Sequence, residues 1–95
     1  MQDPEEIEQE VIDAVGLQEI RENGKVNFGH TLDSMISTLG EIKKYNEQGE
    51  FKKMGGMYFA FYKMECIYNL FMDEYVFRKI GEQEGKQYPA SRSRD

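Results

Sequence analysis

The sequence predicts an all-α fold of three helices, the last two forming an antiparallel hairpin, with apolar surface to spare for a helical-bundle oligomer. Three observations predict it. Met54, Met57, Phe61, Met64, Tyr68, Phe71 and Tyr75 recur at alternating steps of three and four, which lays all seven side chains along one stripe of a helix. Asp3-Pro4-Glu5-Glu6 reads as a helix start, and Gly49 stands where a second periodic run gives out, the position where a left-handed residue closes a helix.

The first helix begins at Asp3 as N-cap. Pro4 suits the first helical position because its missing N–H would be unpaired there, and Glu5 and Glu6 face the positive end of the helix dipole. Ile7, Val11, Ala14 and Val15, extended toward Gln18, form its apolar face, with the acids mostly on the other side. Gly16 weakens this helix, and Asn23-Gly24 ends it at the latest. A two-residue β-turn at Asn23-Gly24 would pair Ile20 with Asn27 and turn Ile20 away from Val26 and Phe28, so no single apolar face results. A helix end followed by an extended linker, Lys25 to His30, is the better reading.

Thr31 is the expected N-cap of the second helix, which carries Leu32, Met35, Ile36, Leu39 and Ile42 and closes at Gln48 before Gly49. Gly40 lies inside it. An interior glycine costs about 1 kcal/mol relative to alanine, and is tolerated where a neighbouring backbone packs closely. The third helix starts either at Glu50 or, beyond Gly55-Gly56, at Met57. From Met57 to Glu82 it would be about 39 Å long, against about 25 Å for the second helix. Helix one or another chain must cover the excess. Beside the main stripe run Tyr58, Tyr62, Cys66, Leu70, Val76, Phe77 and Ile80, so a second strip needs covering as well. Residues 1–82 form one domain; residues 83–95, polar and containing Gly85 and Pro89, are expected to be a disordered tail.

Composition narrows the classes of function. Hydrophobic residues make up 39% of the chain, with six Phe, six Tyr and six Met, too much apolar material for a wholly disordered polymer. The net charge is −6, and Asp3, Glu5, Glu6, Glu8, Glu10, Asp13, Glu19 and Glu22 face Arg21 alone in the first 22 residues. Such a segment disfavours direct nucleic-acid binding and suits a basic partner. Arg92 and Arg94 are too few to reverse that. The uncharged apolar run Met54 to Tyr62 is far short of the roughly 20 residues of a membrane span. A lone Cys66 and the lack of a basic leader followed by an apolar stretch point to the cytoplasm and no membrane.

No residue set rises to a mechanism, so no enzyme activity, cofactor or metal is expected. His30 stands without a nearby Cys or His; Glu65, Asp73 and Glu74 fall short of the Glu plus Glu-x-x-His pattern of di-metal bundles; Cys66 is an inert thiol among apolar neighbours. The expected oligomer or partner interface is the stripe Met54, Met57, Phe61, Met64, Tyr68, Phe71 and Tyr75, whose tyrosine hydroxyls suit an interface rim better than a dry core. Lys43, Lys44, Lys52 and Lys53 bracket the hairpin turn as a candidate anion site, although the spacing is not that of a P-loop and a solvated charged turn is the ordinary explanation. The expected function is therefore a non-enzymatic protein that binds and modulates or inhibits another macromolecule through a homo-oligomeric scaffold. The alternatives are a binder of a small anionic metabolite or nucleotide at a subunit boundary, using those lysines, and an acidic mimic of nucleic acid.

Overall fold

The computed structural model describes residues 2–85, and every regular element among them is helical. Helix α1 spans Pro4–Val15, α2 Leu17–Glu22 and α3 Gly24–Gln48; a last rod is built from α4 Phe51–Gly56, α5 Tyr58–Phe71, a π-helical turn Met72–Val76 and α6 Phe77–Glu84. These amount to four rods among the described residues, where the sequence predicts three. The last rod enters residues assigned to the tail and ends at Glu84; residues 86–95 of that segment lie outside the described residues.

The extra rod comes from Gly16. At φ 97° and ψ 133° its backbone takes a conformation that side chains resist, so α1 stops and the chain turns into α2. The expected extended linker, Lys25 to His30, is helical instead, and the second long helix starts at Gly24, seven residues before Thr31. Thr31 is interior to it and donates its hydroxyl to the Asn27 carbonyl at 3.4 Å. The physical reason is tertiary. Gly24 is buried beneath the Tyr75 ring, where an added Cβ would come within 2.3 Å of a ring carbon, and Phe28 stacks on Phe71 with centroids 5.2 Å apart. Burying Phe28, worth about 1.5–3 kcal/mol, offsets the cost of about 1 kcal/mol for each of two glycines in the first two turns, and the seat of Gly24 under Tyr75 adds to it.

The outer ends follow local rules. Asp3 precedes Pro4 in extended conformation and its carbonyl accepts the Ile7 N–H at 3.2 Å; its side chain makes no cap bond. Gly49 is left-handed, φ 71° and ψ 22°, and the Glu50 N–H reaches back to the Tyr45 carbonyl at 2.8 Å, the six-to-one bond of a Schellman closure. The two candidate starts of the last rod both occur: α4 begins after Glu50, breaks at Met57, and α5 resumes at Tyr58.

Packing organises around α5. Along α3, Gly24 meets Tyr75, Phe28 meets Tyr68 and Phe71, Thr38 meets Met64, and Tyr45 meets Lys53. Residues rising along α3 thus touch residues falling along the last rod. Helix α1 lies on another side of α5, with Glu10 beside Lys63 and Val11 and Ile12 against the cluster that contains Leu70. Ile20, Phe28, Leu70 and Phe71 form the buried core, flanked by Ile67, Tyr68, Met72, Tyr75 and Val76. That core gathers where α1, α2, the start of α3 and the last rod meet. Arg21 closes it, donating from Nε and Nη2 to Glu74 at 3.0 Å and so tying α2 to the π-helical turn. The molecule measures 49 × 25 × 22 Å with a radius of gyration of 15.4 Å, where a compact domain of this size would have about 12 Å. It is an elongated body as long as its last rod, with Leu70 and Phe71 a little beyond that rod's midpoint.

Candidate functional site

Four of the seven stripe residues, Met64, Tyr68, Phe71 and Tyr75, meet α3. Phe71 is buried, and Met54, Met57, Phe61, Met64, Tyr68 and Tyr75 are each half-buried. Thr38, buried, donates its hydroxyl to the Met64 sulfur at 3.6 Å, and the Tyr68 ring tilts against Phe28 at 5.4 Å between centroids. The side of α3 that meets this stripe carries Gly24, Phe28, Thr31, Met35, Thr38, Ile42 and Tyr45, spaced at alternating steps of four and three and all buried or half-buried. Sequence reasoning placed α3's apolar face differently, on Leu32, Met35, Ile36, Leu39 and Ile42. Met35 and Ile42 are half-buried, whereas Ile36 is 68% exposed, Leu39 50% and Leu32 37%.

An apolar ridge therefore lies open on the outside of α3. Gly40 belongs to it, and nothing lies within 4 Å of where its Cβ would stand, so within this chain no backbone packs on that glycine. Phe51, Tyr58 and Phe59 on the last rod are exposed as well. The ring of Tyr58 is edge-on to Phe59, with centroids 5.1 Å apart, and stacks on Tyr62 at 6.5 Å.

Between the start of α1 and that of α5, Gln2, Ile7, Phe59, Tyr62 and Lys63 line a cavity of about 450 Å³. Burial foremost, and then the neighbouring Cys66 thiol, push the Tyr62 phenol above the ordinary tyrosine range. Cys66 itself is buried. Sequence reasoning did not find this cavity: Phe59 lies on neither apolar strip read from the periodicity, and Gln2 precedes the helix. Glu8 is a second surprise. It is buried although the acids of α1 were expected on the open side, because it stands three and four residues before Val11 and Ile12 and so shares their face toward α5.

The four lysines flank the turn between α3 and α4, and two of them have acidic neighbours. Lys43 lies 4.0 Å from Glu47 and Lys53 3.8 Å from Glu50, all strongly exposed, and the Lys53 ammonium sits over the Tyr45 ring at 5.5 Å from its centroid. Lys44 and Lys52 are exposed on α3 and α4. Glu65 is exposed and Asp73 buried, so those two do not face a common opening, and Glu74 is taken by Arg21. Among the described residues no group of three or more His, Cys, Asp or Glu side chains is placed to hold a metal ion, and no helix is long and apolar enough to cross a membrane. His30 is exposed within α3.

Compared with protein families, with curated proteins and with solved structures, the chain matches none. Its functional reading rests on its own residues.

Proposed function

We propose that this protein is a non-enzymatic interaction module: a helical scaffold that associates with itself and binds another macromolecule to modulate or inhibit it. The observation that carries the reading is the open apolar ridge Leu32, Ile36 and Leu39 on α3, which the core gathered around Ile20 and Leu70 leaves uncovered. Isolated apolar residues on a surface are ordinary, but three spaced along one face of a helix form a ridge, the kind of patch that marks an interaction site. The descending contacts between α3 and α5 support the antiparallel hairpin as the scaffold's unit. The half-buried stripe Met54 to Tyr75 holds that unit together and leaves an edge from which an oligomer or partner interface can extend.

Two surfaces divide the work. The α3 ridge suits self-association, whereas the cavity rimmed by Phe59, Tyr62 and Lys63, beside the acidic α1, suits an apolar anchor on a basic partner. Light scattering of the full chain over a range of concentrations tests the first part: a rise above the mass of one chain is expected, and a single chain throughout would overturn it. For the second, Phe59→Glu is expected to release a macromolecule that the unaltered chain retains, with helix content unchanged. Equal retention by both would remove the cavity from the reading.

A further inference from the structure

Resting on self-association, we infer that two copies of the chain pair through the outer faces of α3, antiparallel, about a two-fold axis at Ile36. At about 100° per residue, Lys25, Gly29, Leu32, Ile36, Leu39, Gly40, Lys43 and Glu47 fall within a sector about 100° wide. That sector is turned away from the α5-facing side, which bears Gly24, Phe28 and Thr38. It is open: Ile36, at its middle, is 68% exposed, and Lys43 and Glu47 beyond it have side chains 80% and 65% exposed.

Charge decides the direction. In an antiparallel pairing about Ile36, Lys25, eleven residues before it, meets Glu47 of the second copy, eleven residues after it, and symmetry repeats the pair. The parallel arrangement would set Lys25 against Lys25, Lys43 against Lys43 and Glu47 against Glu47, all repulsive. Shape agrees with charge. The antiparallel register seats Leu32 over Gly40 and the Lys43 stem over Gly29, and at both glycines nothing in the chain itself lies within 4 Å of the Cβ position. The close neighbour that an interior glycine accommodates is supplied by the second copy. The loose contact of Lys43 with its own Glu47, 4.0 Å apart and strongly exposed, holds neither in place.

The size of the contact sets its strength. From Lys25 to Glu47 the ridge runs about 33 Å and is about 10 Å wide, smaller than the roughly 800 Å² per partner of a stable interface. So small a contact implies weak association, at about 100 μM or above.

Sedimentation of the full chain across that range, combined with two kinds of variant, tests the pairing. Ile36→Cys is expected to give a disulfide-linked dimer under mild oxidation because the two copies of residue 36 meet on the axis. Val26→Cys, equally exposed but off the ridge, should not. Lys25→Glu should weaken the dimer roughly tenfold, the scale of two exposed ion pairs turned repulsive, and adding Glu47→Lys should restore it. A dimer that neither links at residue 36 nor responds to the charge exchange overturns this pairing and leaves self-association standing. A single chain at every concentration overturns both.

Discussion

Helix α3 begins in one environment and ends in another. Its first turns are clamped, with Gly24 under Tyr75 and Phe28, 7% exposed, stacked on Phe71. Two to three turns on, Ile36 and Leu39 of the same helix stand 68% and 50% exposed. At the packed end α1, α2, α3, α5 and the π-helical turn converge on Ile20 and Leu70, so each apolar side chain has several neighbours. At the open end only α3 and the start of the last rod run together, and two helices cannot cover both of their apolar sides. Fold stability thus comes mainly from the start of α3 and what packs on it, while the outer face farther along that helix is free to take part in binding.

The comparison is broken most directly by truncating a side chain at each end. Phe71→Ala should cost about 3–5 kcal/mol, as buried aromatic truncations do, a large part of the 5–15 kcal/mol typical of a domain. Ile36→Ala should change the stability of a single chain by no more than about 0.5 kcal/mol. Urea unfolding followed by circular dichroism, on dilute protein, reads both. Equal losses would mean that the open end is packed as tightly as the other.

Two glycines give the next largest contrast. Gly24→Ala forces the Tyr75 ring away from its seat and should cost about 1–3 kcal/mol, the scale of overpacking, or more if the start of α3 unwinds. Gly40→Ala meets nothing in its own chain and should gain up to about 1 kcal/mol of helix propensity. Thermal midpoints moving in opposite directions are the expected result. Arg21→Ala acts at the packed end alone: losing the bond to Glu74, whose side chain is 15% exposed against 37% for Arg21, should cost about 1 kcal/mol after screening is allowed for.

Much of this was written locally. Pro4, Gly49 and the helical period from Met54 to Tyr75 each act within a turn or two of chain, and the start of α1, the closure of α3 and the face of α5 follow from them. The start of α3 was not legible, because Asn23-Gly24 and Thr31 carry good local signals for a break and a cap, and the burial of Phe28 against Phe71, more than forty residues away, overrides them. The seam of α3 was read one strip too far round for a related reason. Leu32, Ile36 and Leu39 are its more apolar residues, yet Gly24, Thr31 and Thr38 face α5, where small side chains make room for the large rings opposite. The cavity at Phe59 depends on where α1 docks, which no single stretch of sequence specifies.

The smallest expected effect lies where the packed and open regions meet. Tyr62 stacks on the exposed Tyr58, lines the cavity and neighbours the buried Cys66, so its phenol is held above the tyrosine range mainly because burial disfavours the phenolate. The folded chain therefore binds this proton more tightly than the unfolded chain, whose tyrosines ionise near pH 10. The stability tied to that proton is fully present below the unfolded value and is lost as the pH rises through the higher folded one. Tyr62→Phe should remove a late step from the alkaline absorbance titration and flatten the loss of stability in that window, with little change at neutral pH. If the titration of the variant matched that of the parent apart from one phenol ionising at the ordinary value, Tyr62 would belong to the open region, and the boundary would lie nearer the core.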